Sequence, residues 1–123
     1  FFYKKDEWND PFINDDHAIL LGAVQKVSEL DELRALALKV NDVLVEIMSA
    51  VNIELVDFKL EFGRNSKGQL ILGDEITPDS CRLWDKKSGE KLDKDRFRRD
   101  LVKIKEAYEE VWTRLYSNWG GKI

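Results

Sequence analysis

The 123-residue chain carries one cysteine, Cys81, and one histidine, His17. A single thiol makes no internal disulfide, is the wrong count for a structural zinc site, and fits a reducing cytoplasm, which is the expected location. Cys81 sits between Ser80 and Arg82 with no histidine near it in sequence to activate it, so a nucleophilic role is poorly supported. His17 likewise lacks metal-binding neighbours and reads as a surface or packing residue. No apolar run approaches the length needed to cross a bilayer, so no membrane partner is expected. Positive charge is in the minority, 20 Lys and Arg against 24 Asp and Glu, for a net charge of −4. That balance argues against a nucleic-acid binder relying on bulk charge. There is no internal repeat, low-complexity tract or phosphate-cradling glycine-rich loop. Gly63, Gly68 and Gly73 are spaced as turn and strand-end glycines.

What is present is enough for one folded domain or part of a larger one: 43% hydrophobic residues for a core and 36% charged residues for a soluble surface. The most informative stretch runs from Leu55 to Asp85. It opens with strict alternation, Val56, Phe58, Leu60 and Phe62 against Asp57, Lys59 and Glu61, which predicts a strand with one apolar and one charged face. A turn follows over Arg64–Gly68, then a second strand from Gln69 to Leu72 that runs into Gly73, Asp74 and Glu75. The hairpin gathers several carboxylates and a lysine near one end of a sheet. Clustered carboxylates suit a hard cation such as Mg²⁺, with phosphates completing its shell; a solvated polar face is the alternative. For Glu61 and Asp74 to share a cation they must lie on one face. In a hairpin without a bulge this requires paired residue numbers with an odd sum. An even sum places Asp74 with Phe58 and Leu60.

Helices account for much of the remainder. Phe1–Lys5 reads as a short strand, and Pro11 disfavours a helical conformation at Asp10. Asn14 or Asp15 is placed to cap a short helix through Leu21, ended by Gly22. Ser28 with Asp31 forms a capping-box signature for a long helix to about Ala50. Its apolar stripe of Leu33, Leu36, Ala37, Val40, Val43, Leu44, Ile47 and Met48 is expected to pack on the strand face of Val56, Phe58, Leu60 and Phe62. Lys86–Glu90 reads as a charged turn. A helix or helix pair is expected from about Asp93 to Asn118, with Phe97, Leu101, Ile104, Tyr108, Val111, Trp112 and Leu115 as its buried seam, ended by Gly120 and Gly121. The fold class is α+β: an antiparallel sheet with helices packed on one face.

Five stretches carry a resemblance. VDFKLEFG (56–63), LGDEITPDSCRLWD (72–85), LDKDRFRRDL (92–101), YKKDEWNDPFIN (3–14) and KVNDVL (39–44) closely resemble, in matching order, the C-terminal half of the SAICAR synthetases of purine biosynthesis. The resemblance implies the C-terminal lobe of a two-lobed ATP-dependent ligase. Residues 1–123 would be a single ATP- and ribotide-binding lobe, with the upstream lobe outside this chain. Phe1-Phe2-Tyr3 reads like the tail of a strand already under way, and such a lobe alone is expected to be inactive. The implied reaction joins L-aspartate to the ribotide CAIR, giving SAICAR, ADP and phosphate through an acyl phosphate.

The implied cofactors are ATP and Mg²⁺, and the implied partners are CAIR, L-aspartate, ATP, the upstream lobe and a second copy of the enzyme in a dimer. Glu61 and Asp74 match the family's metal-binding acids at the nucleotide, with Glu75 beside them. Asp57, Lys59 and Arg82 match ribotide-pocket positions, and Asp57, Lys59 and Asp74 are the catalytic candidates. Arg82 is suited to the ribotide phosphate, although an ion pair with Asp79 or Asp85 is its structural alternative. Asp79 is a further substrate-loop candidate. Lys4 and Asp10 match an upstream lysine and aspartate facing the cleft, with Lys5 and Asp6 as alternatives. Cys81 stands where a small residue is expected and reads as a packing substitute. A different phosphotransferase and a non-enzymatic acidic interaction domain are the competing readings.

Overall fold

The computed structural model describes residues 1–96 and 103–120. The chain forms two compact units, Phe1–Lys39 and Val40–Ile123.

In the first unit the expected N-terminal strand is reduced to a single antiparallel bridge between Phe2 and Phe12, flanked by Tyr3 N–H to Pro11 C=O (3.0 Å) and Ile13 N–H to Phe1 C=O (2.9 Å). Between them, Asp6–Trp8 makes one 3-10 turn, and Asn9 and Asp10 take left-handed φ values of 54° and 44°. Helix α1 spans Asp15–Leu20. Its cap is Asn14, whose Oδ1 accepts from the His17 N–H at 2.9 Å, while His17 Nδ1 accepts from the Asn14 N–H at 3.3 Å. The histidine is therefore half of a reciprocal capping box, a local structural role. Helix α2, Val27–Ala50, begins one residue before Ser28, so the expected Ser28–Asp31 box is not its cap. Glu29 does that work, accepting the N–H groups of Gln25 (2.5 Å) and Lys26 (3.2 Å), because its longer side chain reaches back over the first turn. Asp31 instead pairs with Arg34. Ile13, Ala18, Val24 and Leu30 form a small core, with Tyr3, Ile19 and Leu33 packed around it.

The second unit contains two antiparallel ribbons where one sheet was expected. Strand β1 (Ile53–Phe58) ends before Lys59 and Leu60, and β2 (Glu61–Arg64) begins after them, so the alternating stretch is two strands. β2 pairs with β3 (Leu70–Gly73), while β1 pairs with β4 (Cys81–Asp85). The turn Arg64–Gly68 is present, organised by Asn65, whose Oδ1 accepts from Lys67 N–H (3.0 Å) and Gln69 N–H (2.9 Å).

A register irregularity between Leu55 and Asp57 shifts the inward face of β1 to Ile53, Leu55 and Phe58. Val56, expected inside, is thereby turned outward and is 40% exposed. Ile53 and Leu83 (each 1% exposed) and Cys81 build the core with Met48 of α2 and Val51 just after it, with Leu92, and with Val111 of helix α3 (Ile104–Trp119). Of the four apolar residues expected to face α2, Phe58 packs against this core. The helices thus cover one face of the β1/β4 ribbon and leave Asp57 and Arg82 on the other.

The expected seam of the last helix holds at Val111 and in part at Ile104, Tyr108 and Leu115. Phe97, Leu101 and Gly121 lie outside the described residues. Trp112 is a correction: it is 67% exposed, stacked on exposed Tyr116 at 5.7 Å, because residue 112 lies farther round the helix than Tyr108 from the centre of the 104/107/111/115 stripe. Gly120 ends α3, and a β-carbon there would come 2.5 Å from the Tyr116 carbonyl oxygen. No helix among the described residues is long and apolar enough to cross a membrane.

Candidate functional site

The outer face of the β1/β4 ribbon carries the first group. Asp57 and Arg82 are cross-strand partners, and Arg82 Nη1 donates to Asp57 Oδ2 at 3.0 Å. Arg82 Nε lies 3.2 Å from Asp95 Oδ2, from the 3-10 turn Lys94–Arg96. The guanidinium is therefore held by Asp57 and Asp95, not by Asp79 or Asp85 as the sequence suggested. Asp79 accepts from the Tyr108 hydroxyl. Asp85 turns inward, where it accepts the N–H groups of Lys87 and Ser88 and pairs with Arg114 at 2.7 Å. The Ser88 N–H first, and then Arg114, hold the Asp85 carboxyl below the usual carboxylate range.

The second group sits where β1 passes into β2. Lys59 Nζ reaches Glu61 Oε1 at 2.7 Å and Asp74 Oδ2 at 4.0 Å. The β2–β3 register pairs Glu61 with Gly73, an even sum, which by strand alternation alone would send Asp74 to the opposite face. Asp74 escapes that constraint because β3 ends at Gly73 and Asp74 takes a left-handed φ of 64°. The alternation of side chains holds only inside the strand. Beyond it, one left-handed residue is enough to return the carboxylate to Lys59 and Glu61.

Glu75 completes the cluster: its N–H donates to Asp74 Oδ1 at 3.0 Å. The adjacent Glu75 carboxyl first, and then this N–H, Lys59 and Glu61, lower the Asp74 pKa, while the adjacent Asp74 raises that of Glu75.

The segment from Asp74 to Ser80 is tied down along its backbone. Lys59 N–H donates to Ser80 C=O (2.8 Å) and Lys94 N–H to Pro78 C=O (3.1 Å). Ser80 Oγ accepts from Thr77 N–H (3.0 Å) and donates to Glu75 C=O (3.1 Å). Cys81, next in line, is buried, and burial pushes its thiol pKa up, in keeping with packing.

Two oxygen donors, Glu61 and Asp74, around a positive charge are a fitting donor set for Mg²⁺, which is typically held by one or two carboxylates plus substrate phosphates. Among the described residues no group of three or more His, Cys, Asp or Glu is arranged to hold a metal by itself. Lys4 and Asp10 lie in the first unit and make a local network there. Lys4 Nζ is 3.3 Å from Asp6 and 3.4 Å from Asp10, whose other oxygen accepts the Lys5 N–H at 2.7 Å. Lys5 instead lies over the Trp8 ring at 4.3 Å.

Two residues with roles at this face, Asp95 and Tyr108, were not among the sequence candidates; Asp95 lies in the quoted LDKDRFRRDL stretch, whereas Tyr108 looked like seam. A separate shallow hollow of about 370 Å³, lined by Asn52, Asp85, Lys87, Arg114 and Asn118 among others, has its arginine already committed to Asp85 and Glu110.

The SAICAR synthetase family pattern matches residues 1–115. The phosphoribosylaminoimidazole-succinocarboxamide synthase of Nautilia profundicola is 62% identical over 115 residues, which cover 94% of this chain and 49% of the relative. A solved SAICAR synthetase in complex with ADP superposes with a TM-score of 0.87 at 46% identity, covering 94% of this chain and 49% of the other. The phosphoribosylaminoimidazole-succinocarboxamide synthase from Ehrlichia chaffeensis gives a TM-score of 0.85 at 43% identity, covering 93% and 49%. The chain spans about half the length of the relatives it matches.

Proposed function

The chain belongs to the SAICAR synthetase family, and we propose that it supplies one lobe of an ATP-dependent ligase that joins L-aspartate to CAIR, giving SAICAR, ADP and phosphate. The observation that carries this reading is the convergence of Glu61 and Asp74 on Lys59, within a chain similar to a structure that holds ADP. In the proposed reaction a CAIR carboxylate oxygen takes the terminal phosphoryl group of ATP, releasing ADP. The aspartate amine then attacks the activated carbonyl, loses a proton, and phosphate leaves.

Phosphoryl transfer asks the protein for positioning and charge neutralisation more than for covalent chemistry. Glu61 and Asp74, with Glu75 beside them, would hold Mg²⁺ at the nucleotide phosphates. The metal would neutralise charge on the transferring group. Lys59 would contribute a second positive charge, its ammonium already drawn between two carboxylates. Arg82 would bind the ribotide phosphate, with Asp57 orienting it. Two of its five N–H donors face Asp57 and Asp95, and the rest of its planar fork serves a ligand. Asp79 completes the proposed substrate contacts of the second unit, and Lys4 and Asp10 are proposed separately as substrate-binding residues of the first. We place the enzyme in the cytoplasm, as a homodimer that the exposed Trp112–Tyr116 stack would help to form; sedimentation reads that state directly.

The test is ADP release by the full-length enzyme with ATP, Mg²⁺, CAIR and aspartate, comparing wild type with Asp74→Asn and Arg82→Ala. Release that requires all four components and falls at least about 100-fold in both variants supports the reading, since each change removes a charge-assisted contact to a phosphate-bearing ligand. Release independent of aspartate or CAIR would point to another phosphotransferase, and undiminished release in both variants would discard the site.

A further inference from the structure

We infer that Tyr108 is a positioning residue, whose hydroxyl reaches from α3 to hold the Asp79 carboxylate in the orientation that meets the ribotide; this rests on the substrate role proposed for Asp79 above. Among the described residues, the ties on the Glu75–Ser80 part of this segment described so far act on its backbone or inside the turn. Lys59 and Lys94 fix the main chain at Ser80 and Pro78, and Thr77 and Ser80 close the turn internally. The Asp79 N–H joins that turn by donating to Thr77 Oγ1 at 3.2 Å. None of these bonds fixes the Asp79 side chain. Among the described residues, its carboxylate is held by one donor from outside the segment, the hydroxyl of Tyr108, twenty-nine residues further along the chain.

The ring and the hydroxyl of Tyr108 do separate work. The ring is half-buried on the seam side of α3, one position from buried Ala107, where phenylalanine would fill the same space. The hydroxyl adds nothing to that apolar packing and is spent on Asp79. Burial, and then the adjacent carboxylate, push the phenol pKa upward, so the group stays protonated and remains a donor throughout the neutral range. The bond engages Asp79 Oδ1, which leaves Oδ2 of this exposed residue for a ligand donor. A carboxylate with one oxygen anchored has lost most of its rotamer freedom before the ligand arrives, and preorganisation of that kind appears in substrate affinity.

The experiment uses the full-length enzyme and ADP release with ATP, Mg²⁺, CAIR and aspartate. Tyr108→Phe, Asp79→Asn and the double variant are compared with wild type, and thermal unfolding is measured on each. The expected result is a KM for CAIR raised roughly five- to tenfold in Tyr108→Phe, the scale of one hydrogen bond to a charged group, with kcat within about twofold. Asp79→Asn should raise KM at least as much, and the double variant should match it without adding to it, because both changes break one interaction. A raised KM in Asp79→Asn beside an unchanged KM in Tyr108→Phe would overturn the positioning role and leave the Asp79 reading standing. Unchanged KM in both would overturn both together. A fall in Tyr108→Phe melting temperature with KM unchanged would show a structural hydroxyl, and additive effects in the double variant would show Tyr108 acting by another route; either result contradicts the proposal.

Discussion

The two β-ribbons of the second unit are built from similar lengths of chain and do opposite things with them. β1/β4 has one face sealed by Ile53, Cys81 and Leu83 against the end of α2 and the middle of α3, so Asp57 and Arg82 on the other face ride on a packed core. β2/β3 presents Ile71 (46% exposed) and Leu72 (45%) to solvent and is closed by a turn that Asn65 organises locally. Its charged residues, Glu61 and Asp74, are held by each other, by Lys59 and by Glu75. The contrast teaches that one half of the charged face is positioned by burial and the other by local hydrogen bonds. Substitutions of apolar residues should therefore separate the two: stability falls for the first ribbon and barely moves for the second.

The largest expected loss is at the core of the sealed ribbon. Leu83→Ala should cost about 2–5 kcal/mol of unfolding free energy, measured by urea denaturation, because a fully buried side chain leaves a cavity. Asp93 comes next. It is fully buried and accepts the N–H of Leu83 and of Asp95, both at 2.8 Å, so Asp93→Ala strands two donors and should cost about 1–3 kcal/mol. It should also loosen Asp95 from Arg82, which a raised KM for the ribotide would report.

A smaller effect concerns pH. The Asp85 carboxyl is held below its ordinary value of 3.8 in the folded chain, so its contribution to stability is full above that value and fades as pH falls through the lowered folded pKa. Melting temperature recorded from pH 6 downward should fall less steeply in Asp85→Asn than in wild type over the acid end. Smallest of all, Ile71→Thr on the exposed hairpin should change stability by less than about 0.5 kcal/mol. A cost as large as that of Leu83→Ala would erase the distinction between the ribbons.

Much of this was legible in the sequence, and the failures have particular causes. The Asn14 cap, the Asn65 turn and the α+β mixture follow from local rules that residue types express directly. The alternation from Val56 to Phe62 suggested one strand because its period is unbroken. The bulge at Val56 and the break at Lys59–Leu60 come from the need to pair with β4, a partner twenty-odd residues away that alternation does not encode. The charged cluster follows from residue types, but the odd-sum register expected to bring Glu61 and Asp74 together is not formed; a left-handed backbone at Asp74 does so instead, and at a non-glycine residue that has no signature in a hydrophobic pattern. The partners of Arg82 were missed for the same reason: Asp57 and Asp95 approach it through the fold, whereas Asp79 and Asp85 were near it only in sequence. Trp112 was assigned inward by its apolar character, and the helix phase set by Ala107 and Val111 turns it out.

On the proposed function, Glu61 and Asp74 together present one site for a divalent cation at the nucleotide. The most direct measurement is the Mg²⁺ concentration giving half-maximal ADP release by the full-length enzyme at saturating CAIR and aspartate, in wild type, Glu61→Gln and Asp74→Asn. A rise of about tenfold or more in both variants, with melting temperatures unchanged, is the predicted result, since removing one of two ligating charges weakens a hard-cation site by at least that much. An unchanged Mg²⁺ requirement in both folded variants would contradict it and reduce the cluster to a solvated surface.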